Sequence, residues 1–148
     1  MTNTTKILAN DRISVVVCTY DDPIEFIDKC LNSLLPQEKI YEIIVADSSK
    51  KGEIKKFCES LKTDKINYVY TPPKGLSDAR NKGIAMAKND IVAFTDADCI
   101  IDKDWAKNIG NSFGDNVAIA GGKVLPKWVA RQNKILCGSS IAQGFYSL

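Results

Sequence analysis

The sequence has no histidine among its 148 residues, and its formal net charge is only +2. The lack of histidine excludes a Ser-His-Asp triad, a histidine general base and zinc sites with histidine ligands. The small net charge gives no reason to expect nucleic acid as a partner. Any catalysis must therefore use the side chains of Asp, Glu, Lys, Arg, Ser, Thr, Tyr or Cys.

Cysteine is scarce and widely spaced, with five residues at positions 18, 30, 58, 99 and 137 and no CxxC pair. The odd count and the wide spacing argue against a zinc ribbon and against a disulfide framework. We therefore expect reduced thiols and a cytoplasmic location. Cys18, Cys30 and Cys58 fall on apolar faces of the predicted elements, so we expect them to act as small core residues.

Long hydrophobic runs are also missing. The chain has no stretch of about 18 apolar residues, so we expect no transmembrane segment. The N-terminal sequence MTNTTKILAN lacks the apolar core of a signal peptide. Hydrophobic residues nevertheless make up 45% of the chain, which predicts one globular domain over residues 1–148.

Apolar runs that favour strands alternate along the chain with amphipathic stretches that favour helices. The predicted strands are residues 13–18, 41–47, 66–70, 89–98 and 116–126. The predicted helices are residues 23–35, 53–62, 76–88 and 102–113, with one or two short helices in 127–148. This alternation predicts a three-layer α/β/α fold around a mainly parallel sheet. At the first helix, Asp22, Pro23 and Glu25 have the pattern of a capping box.

Polar side chains lie at the carboxyl ends of three predicted strands. They are Thr19, Tyr20 and Asp21 after the first strand, Asp47 and Ser48 at the end of the second, and Asp96 and Asp98 at the end of the fourth. Parallel strands present their carboxyl ends at one edge of the sheet, where ligands bind. We therefore expect these groups to form a common ligand site.

Asp96 and Asp98 are separated by a single alanine at the end of the predicted fourth strand. Side chains two apart in a strand share a face, so both carboxylates would point the same way. Two carboxylates that close repel unless a cation lies beside them, and Mg²⁺ or Mn²⁺ prefers oxygen ligands. The alternative is that both aspartates only cap the following turn, and their spacing alone does not decide between the two.

The helix predicted to begin after residue 75 would open its N-terminus on the same edge, where backbone N–H groups favour an anion. Arg80 lies near its first turn and is suited to bind phosphate. The alternatives are that Arg80 pairs with Asp78 or Asp90 on the surface, and that Asp47 only caps the turn that follows it.

Three stretches of sequence are informative when they are taken together: ISVVVCTYDD, EIIVADSS and GLSDARNKGIAMAKNDIVAFTDADCIIDKDW. The third is the most specific, because it joins an ARN-x-G helix, a strand, a DAD motif and a helix with tryptophan. Together they resemble glycosyltransferase family 2 over residues 12–125. The resemblance implies the Rossmann-like GT-A fold and the transfer of a sugar from a nucleoside-diphosphate sugar to an acceptor.

The resemblance implies a base pocket formed by residues after the first two strands. Thr19 and Tyr20 match residues that line the pocket of the nucleotide base, and Asp21 is the neighbouring acidic position. Asp47 matches the aspartate that accepts a hydrogen bond from the base, typically uracil. The resemblance therefore implies a UDP-sugar as the donor.

The resemblance implies that the phosphates are bound by the third helix and the DAD motif. Arg80 matches the arginine that helps to hold the nucleotide. Asp96 matches the aspartate that usually reaches the ribose, and Asp98, with Asp96 beside it, matches the ligand of an Mn²⁺ or Mg²⁺ ion. In an inverting transfer the ion stabilises the leaving diphosphate, while a carboxylate base takes the proton of the acceptor.

The chain departs from the family pattern on the acceptor side. The family's carboxylate base lies well downstream of the DxD motif, whereas the only acidic residues after Asp98 are Asp102, Asp104 and Asp115. We therefore expect a single GT-A-like nucleotide-sugar-binding domain that lacks the usual C-terminal acceptor-binding part. The alternative is a catalytically incomplete binding module or subunit that needs a partner for the acceptor half.

Two further interpretations concern another enzyme class and the C-terminal segment. DADCI also resembles the DxDx[TV] motif of haloacid-dehalogenase-like phosphatases, although that motif normally follows the first strand. The basic and apolar residues 127–138 are typical of a packed helix, and they could also dock a protein partner or touch the cytoplasmic face of a membrane.

Overall fold

The structure is a computed structural model that describes residues 12–113 and 117–125. Within these ranges, strands and helices alternate along the chain. In order, they are β1 (Ile13–Thr19), α1 (Ile24–Leu34), β2 (Ile40–Asp47), α2 (Glu53–Ser60), β3 (Ile66–Tyr70), α3 (Leu76–Met86), β4 (Ile91–Asp96) and α4 (Trp105–Ser112). These elements match the first four strands and the first four helices predicted from the sequence.

The strands of the described ranges form one parallel sheet in the order β3-β2-β1-β4. β1 lies inside the sheet, and all seven of its residues are buried. Its run of valine and isoleucine is typical of a parallel strand that is covered on both faces. The chain changes direction across the sheet between β1 and β4, and ligands bind at such a switch point in open α/β sheets.

Helices cover both faces of this sheet, so the predicted three-layer α/β/α fold is confirmed. On one face, Val15 and Val17 of β1 share a buried cluster with Ile27 of α1, Ile54 of α2 and Ala106 of α4.

Among the described residues, no helix has the length and apolar character needed to span a membrane.

The other face of the sheet is covered by α3. Val16 and Cys18 of β1 pack there in a second buried cluster with Ala79 of α3. Neighbouring residues of β1 therefore face opposite layers, as the alternation of side chains along a strand requires.

α3 approaches β1 most closely at Gly83. A Cβ atom at residue 83 would lie 2.9 Å from Val16 Cγ2 and 3.2 Å from Val16 Cβ. Because glycine has no Cβ, the helix can lie directly on the strand. This contact sets the distance of α3 from the sheet, and with it the position of the N-terminus of α3 at the carboxyl end of β1.

A buried carboxylate fixes the amino end of the sheet. Glu42 is 2% exposed, and its Oε1 accepts hydrogen bonds from Ser14 Oγ and from the Lys88 backbone N–H, both at 2.8 Å. Its Oε2 accepts a hydrogen bond from Asn67 Nδ2 at 2.9 Å, and Asn89 Nδ2 donates to Ser14 Oγ at 2.9 Å. These donors offset the cost of burying the charge. They also tie three strands to the segment that leaves α3.

The predicted fifth strand is wrong over the residues that the structure describes. Residues 117–125 form no strand, and Ile119 and Val124 are 64% and 81% exposed. A strand is stabilised by hydrogen bonds to a neighbouring strand, and within the described ranges none pairs with this segment. Residues 116 and 126, and the helices predicted in 127–148, lie outside the described residues.

The predicted capping box of α1 is also wrong. The N-cap of α1 is Pro23, and no side chain caps the helix. Asp22 instead accepts a hydrogen bond from Thr19, the last residue of β1. Glu25 pairs with Lys29 one turn further along α1. The Asp22 carboxylate accepts hydrogen bonds from Thr19 and from the Tyr20 N–H, and it does not cap the helix.

The prediction that Cys18, Cys30 and Cys58 act as core residues is confirmed, since all three are buried and free of disulfides. Burial raises the pKa of Cys30 to about 12 and that of Cys58 to about 11. Cys99 is only partly buried. Since the thiolate is the reactive form, Cys30 and Cys58 are chemically protected in the folded protein.

Replacement of Gly83 by alanine should destabilise the protein, because the added methyl group would overlap Val16. Alanine would gain up to about 1 kcal/mol over glycine in a helix, whereas overpacking costs about 1–3 kcal/mol. We expect urea denaturation to show a net loss of about 1–2 kcal/mol in the free energy of unfolding. In the Val16→Ala background the loss should shrink, so strictly additive losses would contradict the contact.

Iodoacetamide at about pH 8 should alkylate Cys99 at least about tenfold faster than Cys30 or Cys58. Burial shields the sulfur atoms of Cys30 and Cys58 and raises their pKa values to about 12 and about 11. Burial raises the pKa of Cys99 too, but this side chain is only partly buried, so the reagent can reach it. Peptide mass spectrometry over a time course measures the three rates. In concentrated urea the rates should converge. Equal alkylation rates of the three cysteines in the folded protein would contradict the burial of Cys30 and Cys58.

Candidate functional site

An open cleft of about 550 Å³ lies at the carboxyl ends of β1 and β4, beside the first turn of α3. Its lining comes from four separate stretches of the chain. The lining residues are Cys18, Thr19, Tyr20, Asp22, Ser48, Pro73, Gly75, Leu76, Ala79, Asp96, Ala97 and Asp98. The predicted site residues in this lining are Thr19, Tyr20, Asp96 and Asp98, and those outside it are Asp21, Asp47 and Arg80.

The loop after β1 is held by Asp22. The Asp22 Oδ2 atom accepts hydrogen bonds from Thr19 Oγ1 at 2.8 Å and from the Tyr20 backbone N–H at 3.1 Å. Tyr20 is 56% exposed, so its aromatic ring is available to a ligand. Sequence reasoning missed Asp22 as a cleft residue, because the following proline made it look like a helix cap.

Asp21 shapes the cleft from outside its lining. Its backbone is left-handed, with a φ of 54°, which aspartate adopts more readily than most residues. Its N–H donates to Ser49 Oγ at 2.7 Å, and its Oδ1 accepts from the Lys50 N–H at 3.4 Å. These bonds connect the loop after β1 to the loop after β2.

Asp47 ends β2 and is completely buried. Its Oδ1 accepts a hydrogen bond from the Ser49 N–H, and its Oδ2 accepts one from the Tyr68 hydroxyl, both at 2.8 Å. The bond to Ser49 is the turn cap that was the alternative interpretation of this residue. Its carbonyl oxygen accepts a hydrogen bond from the Thr71 N–H at 2.8 Å. Asp47 therefore organises the loops after β2 and β3 from behind the cleft.

Ser48 joins the loops at one corner of the cleft. Its N–H donates to the Thr19 carbonyl at 2.9 Å, and its Oγ lies 2.6 Å from Thr71 Oγ1. Thr71 follows β3, so the loops after β1, β2 and β3 meet at this point. Hydrogen bonds therefore connect the three loops at this corner.

β4 ends at Asp96, opposite Cys18 of β1, and Asp98 lies in the turn that follows. The strand predicted to run to residue 98 is therefore too long, and alternation along a strand does not explain why the two carboxylates lie together. The turn is closed by a hydrogen bond of 3.1 Å from the Cys99 N–H to the Asp96 carbonyl. Both carboxylates nevertheless line the same cleft.

Arg80 reaches from α3 to the DAD motif. Its Nη2 lies 3.5 Å from Asp96 Oδ1, and the two side chains are 41% and 59% exposed. The alternative partners Asp78 and Asp90 are wrong, because the Arg80 guanidinium contacts Asp96, the last residue of β4, and contacts neither alternative within the described part of the chain. An exposed pair of this kind contributes about 0–1 kcal/mol to stability, so a ligand phosphate can replace the carboxylate at little cost.

The N-terminus of α3 opens on the cleft. Its N-cap is Gly75, whose φ of 115° favours glycine, and no side chain caps the helix. Leu76, the first residue of α3, lines the cleft and is 49% exposed. Uncapped N–H groups and the positive end of the helix dipole favour an anion such as phosphate.

The carboxylates of Asp96 and Asp98 are suited to a divalent cation that a ligand helps to hold. Among the described residues, no group of three or more His, Cys, Asp or Glu is placed to hold a metal ion. Two carboxylates supply part of the shell of Mg²⁺ or Mn²⁺, and such ions commonly complete it with substrate phosphates and water. The side chains present therefore fit a metal that binds with a phosphorylated ligand.

Cys18 lines the cleft, and its surroundings disfavour the thiolate. Burial is the largest influence and raises its pKa; Arg80 lowers the pKa, and Asp96 raises it. Since the thiolate is the nucleophile, this cleft is not arranged for covalent catalysis by cysteine. The groups that meet at the cleft are carboxylates, an arginine and a helix N-terminus, which together suit a phosphorylated ligand.

Asp102 and Asp104, which follow the DAD motif, do not line the cleft. Asp102 lines a separate groove of about 700 Å³ between β4, α4 and residues 118–123. Its Oδ1 accepts a hydrogen bond from the Asp104 N–H at 2.9 Å, just before α4. Neither Asp102 nor Asp104 is placed to act as a general base at the cleft. Asp115 lies outside the described residues.

Comparison with known proteins connects this cleft to one family. A family model for glycosyl transferase family 2 matches residues 14–133. Two Haloferax volcanii proteins are similar: a glucosyl-dolichyl phosphate glucuronosyltransferase, 30% identical over 128 residues, and the glycosyltransferase AglE, 29% identical over 119 residues. The matches cover 82% and 76% of this chain but only 41% and 39% of those proteins. The chain thus spans about two fifths of their length.

The fold is shared with a solved structure as well. The chain is similar to S. aureus TarS 1-349, with a TM-score of 0.60 and 25% identity over 68% of this chain and 31% of that one. The DAD motif follows β4 and not β1, which disfavours the phosphatase interpretation. The family match over most of the chain, the shared fold and a cleft suited to a phosphorylated ligand agree, and the chain belongs to glycosyltransferase family 2.

Proposed function

We propose that the cleft binds a UDP-sugar and that the chain is the donor-binding part of an inverting glycosyltransferase. The observation that carries this proposal is the meeting of Arg80, Asp96 and Asp98 with the N-terminus of α3 at one edge of the sheet. A guanidinium, carboxylates suited to a divalent cation and free backbone N–H groups are what an anionic diphosphate needs. Membership of the family supports sugar transfer from such a donor.

The base would lie between the loops after β1 and β2. Thr19 and the exposed ring of Tyr20 line this end of the cleft, and Asp21 holds the two loops together. Asp47 is the proposed acceptor for an N–H group of uracil, since each of its oxygens takes one hydrogen bond and retains a second lone pair. Because Asp47 is buried, the base would reach it after a small movement of the loop at Ser48.

The ribose and the diphosphate would lie between α3 and the DAD motif. Asp96 would accept hydrogen bonds from ribose hydroxyl groups, and Arg80 would exchange its contact with Asp96 for a phosphate oxygen. Asp98, with Asp96 beside it, would hold an Mn²⁺ or Mg²⁺ ion, which when bound stabilises negative charge on the leaving diphosphate. The N-terminus of α3 would contribute further hydrogen bonds to the same phosphates.

Transfer with inversion needs a carboxylate that takes the proton of the acceptor hydroxyl. Neither Asp102 nor Asp104 lines the cleft. This observation favours a second candidate function, in which residues 1–148 are a single nucleotide-sugar-binding module and a partner supplies the acceptor half. Both candidates share the same donor site.

The acceptor class and the cellular location belong to the proposal as well. One similar protein is named as a glucosyl-dolichyl phosphate glucuronosyltransferase. We propose an acceptor of the same class, a sugar carried on a lipid phosphate. Such an acceptor would bring the chain to the cytoplasmic face of a membrane as a peripheral protein.

Asp98→Ala should remove the effect of metal ions on UDP binding. By titration calorimetry, we expect Mn²⁺ to tighten UDP binding to the unmodified protein by at least about tenfold, and to have no such effect on the variant. Asp90→Ala is the matched control, because Asp90 is an exposed aspartate just before β4. An affinity for UDP that is the same with and without Mn²⁺ would contradict the proposed metal site. If the unmodified protein binds no UDP at all, the proposed donor site is wrong.

The same protein samples separate the two candidate functions. Release of sugar from a UDP-sugar, by hydrolysis or by transfer to a lipid-linked acceptor, supports an enzyme that acts alone. Tight metal-dependent binding without release supports the binding module.

Arg80→Ala should weaken UDP binding by about tenfold while the free energy of unfolding changes by less than about 1 kcal/mol, because its exposed pair with Asp96 stabilises the fold little. Lys82→Ala, which removes an exposed cation from the same helix, should leave both quantities unchanged. Calorimetry and urea denaturation measure them. A large loss of stability without weaker binding would assign Arg80 a structural role instead.

A further inference from the structure

Tyr68 lies on β3, behind the corner at which the base would bind. In the parallel register of β2 and β3, Tyr68 is paired with Val45, and Asp47 lies two residues further along β2 on the same face. The half-buried ring packs against the core on the face of α1 and α2. Its hydroxyl extends along the strand and donates to Asp47 Oδ2 at 2.8 Å.

The Asp47 carboxylate accepts hydrogen bonds from two donors that belong to different parts of the fold. The Ser49 N–H belongs to the backbone turn that also contacts Asp21, so that donor is part of the loop. The Tyr68 hydroxyl comes from a neighbouring strand and anchors the carboxylate to the sheet. Without it, one oxygen of a completely buried carboxylate would lose its donor.

The Tyr68 hydroxyl remains a donor under ordinary conditions. Burial raises the pKa of Tyr68 most, and the hydrogen bond to Asp47 raises it further. The phenol is therefore protonated at any pH at which the protein would work. Its side chain can supply a constant hydrogen bond to Asp47.

We propose that Tyr68 is a positioning residue for recognition of the nucleotide base: through Asp47 it sets the geometry of the Ser48–Ser49 turn. This inference rests on the proposed binding of a UDP-sugar in the cleft. It gives Tyr68, which lies outside the cleft lining, a part in discriminating among bases. The phosphate side, formed by Arg80 and the DAD motif, does not depend on it.

The test compares Tyr68→Phe with Tyr70→Phe by calorimetry with UDP and with ADP, in the presence of Mn²⁺. Tyr70 lies on the same strand, is exposed, and forms no hydrogen bond through its hydroxyl to any described residue, so the same chemical change serves as the control. We expect Tyr68→Phe to weaken UDP binding by about tenfold, as for one hydrogen bond to a charged group. Binding of ADP, which uses the same phosphate site, should change less than about twofold, so discrimination between the bases should fall.

If Tyr68→Phe unfolds the protein, the pair is tested with the charge of residue 47 removed, because asparagine leaves no buried carboxylate without its donor and the double variant should stay folded. Asp47→Asn, which keeps the shape of the side chain, should reduce the preference for UDP over ADP in the same way. In the Asp47→Asn background, Tyr68→Phe should add less than about twofold, because no carboxylate remains to be positioned.

Three results would overturn the inference. One is unchanged UDP binding by Tyr68→Phe when the unmodified protein binds UDP. Another is an equal loss for UDP and ADP, which is the behaviour of a purely structural residue. If the unmodified protein binds no UDP, the proposed function itself fails and the inference falls with it.

Discussion

The distance between α3 and the sheet is determined at Gly83, where a side chain would overlap Val16 of β1. The parts of α3 that face the cleft depend on that contact, because the uncapped N-terminus at Gly75 and the guanidinium of Arg80 belong to the same helix. If α3 stood farther from β1, the 3.5 Å approach of Arg80 to Asp96 would be lost. The absence of a side chain at residue 83 thus fixes the position of the helix N-terminus and of the arginine at the cleft.

Two buried carboxylates hold opposite ends of β2. Glu42 near the amino end is 2% exposed, and Asp47 at the carboxyl end is 0% exposed. Each is matched by hydrogen-bond donors from neighbouring segments, which a buried charge requires. Glu42 binds the segment that leaves α3, and Asp47 binds the loops after β2 and β3. β2 is therefore fixed at both ends, and the loop that follows it leaves from a fixed position.

Local patterns made most of the described fold predictable, because apolar runs and amphipathic stretches report directly on strands and helices. The gathering of Asp96 and Asp98 at the cleft followed from the parallel order of the strands. Features that depend on tertiary partners were not predictable. Asp22 resembles a helix cap until the donors of its loop are known, and Tyr68 is an ordinary strand residue until the register places it near Asp47. Residues 117–125 have the composition of a strand but lack a neighbouring strand within the described ranges.

The left-handed backbone of Asp21 has a consequence for how this corner of the cleft can vary among related sequences. Most side chains cost roughly 1–2 kcal/mol in that conformation, whereas glycine, asparagine and aspartate adopt it readily. Asparagine would keep both the backbone bond to Ser49 and an acceptor for Lys50 while removing the charge. Glycine would keep the backbone conformation but lose that acceptor. At this one position, the shape of the loop and its electrostatic potential can therefore change independently.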